Sequence, residues 1–201
     1  MTIVNRSVIM KVMSTRTDNQ NLTSRSGHSY EDHRDSGDGY WCPTHEGSCF
    51  RGCDERRWGK YGAAGVLFYH RESGTFLLNQ RSAAIHHGGT WSTIGGALNK
   101  DEDALDGALR EAEEEIGEIT VGYWQIAEEI SVHKGTHTDW TYSTHVVEVD
   151  ERWEADTSDW ETMDNAWVSL QDMSTMKLHP GFKASVTGIV TEMYYQGAFT
   201  V

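Results

Sequence analysis

Residues 96–117, GALNKDEDALDGALREAEEEIG, decide the fold of this chain because they combine a helical pattern with a dense group of carboxylates. Apolar residues recur at helical spacing from Ala104 to Ile116. Asp103 is a suitable N-cap, and Gly117 is a suitable residue just past the helix end. The sequence therefore predicts a helix over Asp103–Ile116 whose apolar face packs on a sheet.

The same helix carries glutamates at four of five successive positions. Like charges at i,i+4 repel, and the helix dipole disfavours anions near the C-terminal end. Glu111, Glu114 and Glu115 are spaced i, i+3 and i+4, so they project from one face, whereas Glu113 lies round the helix. Three such carboxylates suit a hard, oxygen-seeking ion such as Mg²⁺ or Mn²⁺. A solvated acidic helix without metal is the alternative for a charge run taken alone.

The wider pattern resembles the Nudix box, G-x5-E-x7-R-E-U-x-E-E-x-G-U, in which U is a bulky apolar residue. Every fixed position of the box is matched, by Gly96, Glu102, Arg110, Glu111, Glu114, Glu115 and Gly117. Two U positions depart, since one holds the small Ala112 and the other holds Glu118, with Ile119 one place later. The resemblance to MutT-like Nudix hydrolases covers about residues 58–185. It implies an α/β fold, an α/β/α sandwich around a mixed β-sheet.

The resemblance also implies roles for the box residues. The expected metal ligands for Mg²⁺ or Mn²⁺ are the Gly96 carbonyl, Glu111, Glu114 and Glu115. The expected catalytic residues are Glu114, Glu115, Arg110 and Glu102. Arg110 should orient a glutamate, and Glu102 should hold the loop through Arg110. Glu114 or Glu115 is the first choice for the base that takes a proton from attacking water, with Glu161 as a candidate outside the box.

Four side chains upstream of the box are candidates for substrate contact. Arg81, beside the expected site at a strand end, could bind phosphate, and a surface arginine is an equal alternative. Trp91 could stack on a base, although packing in the core or a loop is the commoner role of tryptophan. His86 and His87 could contact phosphate, or they could be solvated loop histidines.

A second group of metal-binding residue types lies further upstream, with the spacing C-x2-H-x3-C-x3-C. It consists of Cys42, His45, Cys49 and Cys53. These residues suit structural Zn²⁺ in kind, although the central spacing is tighter than that of a zinc finger. Unliganded cysteines in a reduced compartment are the alternative. A zinc ion here would stabilise the segment and take no part in catalysis.

Composition divides the chain into three segments. Residues 1–38 are predicted to be a flexible N-terminal tail because the polar stretch Ser14–Asp38 has too few large apolar residues to form a core. Residues 39–57 form a lead-in that contains the cysteines, and residues 58–201 form the Nudix hydrolase domain. The elements predicted in this domain are strands at Tyr61–Tyr69, Phe76–Arg81 and Trp140–Val149, one or two strands within Ile119–Val132, a strand within Asp164–Leu170, and a closing helix at Lys183–Tyr195. The segment Trp91–Leu98 is predicted to be a short strand or extended segment interrupted by Gly95-Gly96.

The chain is acidic, with 31 Asp plus Glu against 17 Lys plus Arg and a formal net charge of -14. This balance argues against a nucleic acid polymer as partner, since affinity for phosphate backbones comes mostly from Lys and Arg. It allows a small nucleotide bridged to carboxylates by a divalent cation. No apolar run approaches the roughly 20 residues of a membrane helix, and no signal peptide is evident. We expect a cytoplasmic protein, and the sequence leaves open whether it forms a homodimer.

These features predict a divalent-metal-dependent Nudix pyrophosphohydrolase that acts on phosphorus-containing anhydrides. Its substrate would be a nucleoside diphosphate linked to another moiety X, with a nucleoside triphosphate or related nucleotide as the default. A non-catalytic Nudix module that senses a nucleotide or other ligand is the alternative, although such modules tend to lose box carboxylates that this chain keeps. The isopentenyl diphosphate isomerase branch needs a cysteine within the domain, and all three cysteines here precede its first strand.

Overall fold

The computed structural model describes residues 40–41, 57–134, 139–157 and 160–199. Strands β1 (Tyr40–Trp41) and β2 (Arg57–Trp58) pair antiparallel as a small separate sheet. The predicted tail, most of the lead-in and the four proposed zinc ligands, Cys42, His45, Cys49 and Cys53, lie outside the described residues. Those predictions stay predictions.

A mixed sheet of seven strands forms the centre of the domain. Its strands are β3 (Ala63–His70), β4 (Thr75–Arg81), β5 (Trp91–Ser92), β6 (Ile94–Ala97), β7 (Tyr123–His133), β8 (Trp140–Val149) and β9 (Thr162–Ser169). Five strands follow the order β5-β4-β3-β8-β7, while β6 pairs with β3 and β9 pairs with β4. Strands β3 and β8 run parallel, and the other pairs are antiparallel.

Helices cover both faces of this sheet. They are α1 (Ala104–Ile116), α2 (Leu170–Met173) and α3 (Pro180–Tyr195). Successive side chains of a strand point to opposite faces. Val66 of β3 accordingly packs in a cluster with Ala112 of α1, and Leu67 packs in a cluster with Ile189 of α3. The predicted α/β/α sandwich is confirmed.

Helix α1 begins and ends as its sequence predicts. The Asp103 carboxylate accepts hydrogen bonds from the backbone N–H groups of Leu105 and Asp106, and Gly117 follows the last turn with a φ of 79°. Ala112, small where the box has a bulky residue, is fully buried against the sheet. Glu118 is exposed and Ile119 is buried, so the apolar position of the box is taken one residue later.

Several strand ends differ from the sequence prediction by one or two residues, and two elements differ by more. Helix α3 begins at Pro180, three residues ahead of Lys183, because the His179 side chain caps it by accepting from the Gly181 N–H and proline suits the first turn. The segment Trp91–Leu98 is interrupted at Thr93 rather than at Gly95-Gly96, since β5 pairs with β4 while β6 pairs with β3. Among the described residues, no helix is long and apolar enough to cross a membrane.

Arg71 ties the C-terminal turn to the sheet, and its loss should destabilise the fold. Its guanidinium makes two hydrogen bonds to the Glu148 carboxylate, one of 2.7 Å from Nε, and a third of 2.7 Å to the Ala198 carbonyl. The Glu148 side chain is only 7% exposed, so Arg71→Met leaves a buried carboxylate unpaired. Because Arg71 itself is 44% exposed and screened by water, we expect the free energy of unfolding to fall by only about 1–2 kcal/mol.

Urea unfolding measures this change, with Arg152→Met, at an exposed arginine beyond β8, as the control. Adding Glu148→Gln to Arg71→Met should recover part of the loss, since the unpaired charge is then removed. Equal stability of Arg71→Met and Arg152→Met would contradict a stabilising role for the Arg71–Glu148 pair.

Candidate active site

Two adjacent glycines of β6 allow helix α1 to approach the sheet. A Cβ atom on Gly96 would occupy the position of the Glu111 carboxyl group, so only glycine leaves room for that carboxylate against the strand. Gly95 has a φ of 155°, and a Cβ there would collide with the backbone of Ala64 and Gly65 in β3. Gly95 therefore allows β6 to pack closely against β3, and Gly96 allows the Glu111 carboxyl group to lie beside its backbone.

Arg110 is the centre of a hydrogen-bond network at the start of the site. Its Nε donates to Glu102 Oε1 at 2.8 Å, and one NH2 group donates to Glu102 Oε2 at 3.0 Å and to the Ala97 carbonyl at 3.1 Å. Its other NH2 group donates to Glu111 at 2.7 Å and to Glu114 at 3.3 Å. These bonds from Arg110 lower the pKa of Glu102 and keep it charged. The network fixes the loop between β6 and α1 to two glutamates of the helix.

Glu115 occupies a different environment, between α1 and the sheet. Its Oε2 atom accepts a hydrogen bond of 3.2 Å from the side-chain amide of Asn79, which also donates to the Thr162 hydroxyl at 2.6 Å. Burial raises the pKa of Glu115 to about 8, and the negative charges of Glu111 and Glu161 add to the effect. A carboxyl group in such a place is strongly stabilised by a nearby cation.

The glutamates of α1 contact two different partners, Arg110 and Asn79, and do not converge on one point. Glu111 and Glu114 contact Arg110, and Glu115 contacts Asn79. In the described part of the chain, no three acidic, histidine or cysteine side chains stand as a ready ligand set. Arg110 supplies the positive charge that lets the carboxylates remain on one side of the helix. Glu113 is exposed, as expected for a residue round the helix.

The residues at the corner where β6 meets α1, namely Gly96, Glu111, Glu114 and Glu115, nevertheless offer the kinds of ligand that a hard divalent cation prefers. The Glu111 carboxyl group lies against the backbone of Gly96, and every candidate donor here is a carboxylate or carbonyl oxygen. The raised pKa of Glu115 reflects burial together with neighbouring negative charge, which a cation would offset. Oxygen donors of this type are those that Mg²⁺ and Mn²⁺ prefer.

Arg81 and Trp91 lie at neighbouring strands beside this corner. Arg81 ends β4, donates from Nε to the His86 carbonyl at 3.1 Å, and lies close enough to Glu115 to lower its pKa. Trp91 is partly buried and packs against the apolar cluster on the α3 face. This contact is the packing role given above as the alternative for Trp91. Stacking of Trp91 on a base stays a prediction.

Asn79 and Thr162 are site residues that the sequence analysis did not identify. Both are buried, Asn79 in β4 and Thr162 at the start of β9, and they meet because those strands pair. The only local signal is a polar residue directly after the apolar run Phe76–Leu78. Thr162 has no such signal, because its proximity depends on the pairing of distant strands.

A mixed sheet between helical layers, with a glutamate-rich helix packed over a diglycine strand, defines the class of Nudix folds. The NUDIX domain model matches residues 60–187. A protein of Mycobacterium tuberculosis named "Putative 8-oxo-dGTP diphosphatase 3" is 35% identical over 159 residues, which span 76% of this chain and 68% of that protein. The crystal structure of RenU, a Nudix hydrolase from M. smegmatis, superposes with a TM-score of 0.67 at 26% identity, covering 82% of this chain and 99% of RenU.

The chain thus belongs to the Nudix family and is a Nudix hydrolase, an enzyme of the pyrophosphohydrolase class. A "Nucleoside triphosphate pyrophosphatase/Nudix hydrolase fusion protein" of Bifidobacterium longum is also similar, at 32% identity over 144 residues. That match covers 65% of this chain and 28% of the fusion protein. Nudix hydrolases generally use divalent metal ions, in agreement with the oxygen donors at the corner of β6 and α1.

Glu102→Gln tests whether the network around Arg110 supports the site. The variant keeps an oxygen for the Asn99 N–H, which bonds Glu102 at 2.8 Å, but loses the charged pair with Arg110. We expect Arg110 to become less ordered and the half-saturating Mg²⁺ concentration to rise roughly 10- to 100-fold. Steady-state kinetics at varied Mg²⁺ measure this shift, with the exposed Glu118→Gln as control. A metal dependence equal to that of the control would contradict the supporting role.

Proposed function

We propose that this chain is a divalent-metal-dependent hydrolase that cleaves the pyrophosphate linkage of a nucleoside triphosphate or related nucleotide, releasing a nucleotide and a phosphorylated product. The observation that carries the proposal is the corner where Glu111 lies against Gly96 and Glu115 is held between α1 and Asn79. An oxidised purine nucleotide is the first substrate to test, because the M. tuberculosis relative is named for 8-oxo-dGTP.

Glu111, Glu115 and the Gly96 carbonyl would hold the metal ion, with Glu114 completing the set or facing the attacking water. When bound, the ion polarises the phosphate group, offsets negative charge that develops there and lowers the pKa of bound water. The ligand positions depend on the protein, since Gly96 leaves space for the Glu111 carboxylate and Asn79 directs that of Glu115.

Glu114 is our choice for the base that takes the proton from the attacking water. Its side chain is 61% exposed, so water reaches it and the proton can pass on to solvent. Arg110 contacts Glu114 at 3.3 Å and would keep that carboxylate turned towards Glu111. Arg81, at the end of β4, would bind a substrate phosphate through its guanidinium.

A panel of nucleotides with Mg²⁺ tests the proposal, with release of phosphate and pyrophosphate as the readout. We expect turnover on at least one nucleoside triphosphate, loss of turnover in excess chelator, and a kcat roughly 100- to 10,000-fold lower for Glu114→Gln. Glu113→Gln is the matched control, since it makes the same change at the adjacent exposed position. Absence of turnover on every nucleotide, or full activity of Glu114→Gln, would refute the assigned mechanism.

A further inference from the structure

Basic side chains gather at the edge of the sheet just beyond the end of β4. They are Arg81, His86, His87, Lys177 and His179. The ring centroids of His86 and His87 are 3.9 Å apart, and those of His87 and His179 are 4.8 Å apart. This basic cluster contrasts with the composition of the chain, whose formal net charge is -14.

The side chains of the basic cluster come from two separate segments of the chain, and strand β5 contacts both segments. Arg81, His86 and His87 come from the end of β4 and the turn after it, while Lys177 and His179 precede α3. Trp91 of β5 joins the second segment through two backbone hydrogen bonds, from its N–H to the Lys177 carbonyl at 2.9 Å and from the His179 N–H to its carbonyl at 2.8 Å. The fold itself therefore brings these side chains together.

Further contacts fix the His179 ring, the Arg81 side chain and the backbone that carries His86 and His87. Nδ1 of His179 accepts a hydrogen bond of 3.2 Å from the Gly181 N–H, which sets the plane of the ring at the start of α3. The His87 carbonyl accepts a bond of 2.7 Å from the Thr90 hydroxyl, and Arg81 holds the His86 carbonyl. An ordered group of donors can bind an anion with less loss of conformational entropy than a group of mobile side chains.

The charges that act on the histidines of the cluster have one sign. Burial lowers the pKa of His179 to about 4, and Arg81, His87 and His86 lower it further. Burial and the charges of His86, Arg81 and Lys177 also lower the pKa of His87. His179 is therefore uncharged at neutral pH, so Arg81 and Lys177 supply the positive charge of the cluster, and a bound anion would favour protonation of the imidazole.

The basic cluster lies next to the carboxylate corner. Asn79, which contacts Glu115, precedes Arg81 by two residues on β4, and this corresponds to about 7 Å along a strand. Arg81 also acts electrostatically on Glu115. An extended polyphosphate chain whose one phosphate is held at the glutamates can therefore reach the cluster with another.

We propose that Lys177, His179 and His87, together with Arg81, form an anion subsite for the nucleotide phosphate that lies farthest from the glutamates. The subsite rests on the proposed function and deepens it, because it favours substrates with three or more phosphates over diphosphates. Lys177 contributes an exposed positive charge, while the imidazoles of His87 and His179 supply N–H donors.

Titration of the full chain with inorganic tripolyphosphate in excess chelator tests the subsite without requiring hydrolysis. We expect Lys177→Gln and His179→Asn each to weaken binding by roughly 5-fold or more in calorimetry, because each removes a donor to a charged group. Asparagine at position 179 retains an acceptor for the Gly181 N–H, so the start of α3 is preserved. Arg152→Gln is the matched charge control, since Arg152 follows β8 at the opposite end of the sheet.

Tripolyphosphate should also raise the pKa of His179, followed by the imidazole resonances in NMR. Failure of the wild-type chain to bind tripolyphosphate, or equal affinity in both variants and the Arg152→Gln control, would overturn the subsite. If nucleotides are still hydrolysed in that case, the proposed function stands and the subsite alone is wrong. Loss of tripolyphosphate binding in the variants, with no turnover on any nucleotide, would instead retain the subsite and refute the proposed function.

Discussion

Glutamine in place of Glu115 is expected to reduce hydrolysis roughly 100- to 1000-fold while making the metal-free chain more stable. Activity falls because a neutral amide is a poor ligand for Mg²⁺. Stability rises because burial and neighbouring charge raise the pKa of Glu115 to about 8, so a charged carboxylate is unfavourable in the folded chain. Few substitutions at a structural residue would produce this opposite pair of effects.

The stability gain should depend on pH in a defined direction. The folded-state pKa of Glu115 lies above the ordinary carboxyl value of 4.5, so its unfavourable contribution is absent well below pH 4.5 and grows as pH rises from there towards 8. The difference in Tm between Glu115→Gln and wild type, measured in chelator, should therefore be larger at pH 8 than at pH 5. Glu113→Gln, an exposed change of the same charge on the same helix, controls for the overall acidity of the chain.

Full activity of the Glu115→Gln variant would show that Glu115 is not a metal ligand. A variant that is inactive but less stable than wild type at pH 8 would instead indicate that Glu115 supports the fold. The combination of lost activity and increased stability is the result that assigns it to metal binding.

Alanine at Gly95 and alanine at Gly96 should have different consequences, although the residues are adjacent. Gly95→Ala forces a Cβ into the backbone of β3 at a φ that disfavours side chains, so we expect a loss of about 3 kcal/mol in the free energy of unfolding. Gly96→Ala meets the end of the flexible Glu111 side chain, which can move aside. The fold should survive Gly96→Ala, while displacement of the carboxylate lowers kcat/KM roughly 100-fold.

Urea unfolding and steady-state kinetics on both variants separate the two effects, and Gly74→Ala serves as a control for the loss of a glycine. A Cβ on Gly74 would meet no atom within 4 Å, although its φ of 65° carries a backbone penalty of its own. If Gly96→Ala retained full activity, the Glu111 carboxylate would not need its place against the strand. If Gly95→Ala were as stable as wild type, the close approach of β6 to β3 would not be required.

Local sequence signals account for the parts of the structure that were predicted well. Helix α1 is determined by the Asp103 cap, the apolar period from Ala104 to Ile116 and the final Gly117, all within one segment. The hairpin of β3 and β4 likewise follows from two apolar runs separated by a glycine-containing turn. In each case the determining residues are neighbours in the chain, so the pattern can be recognised without knowledge of the sheet.

The parts that were missed depend on contacts between distant residues. Asn79 meets Thr162 and Glu115 through pairing of β4 with β9 and packing of α1 on the sheet. His179 joins His87 because Trp91 holds the segment ahead of α3. No spacing in the sequence indicates these contacts, because each requires the order of strands in the sheet.

Arg110 has a consequence for the folded chain in the absence of the proposed metal ion. Its guanidinium bonds Glu102, Glu111, Glu114 and the Ala97 carbonyl, so the helix carries its own counter-ion. Repulsion among these glutamates is thereby reduced in the folded chain without an external cation. Under the proposed metal dependence, folding and metal binding can then occur as separate events, and the chain would stay folded but inactive when magnesium is scarce.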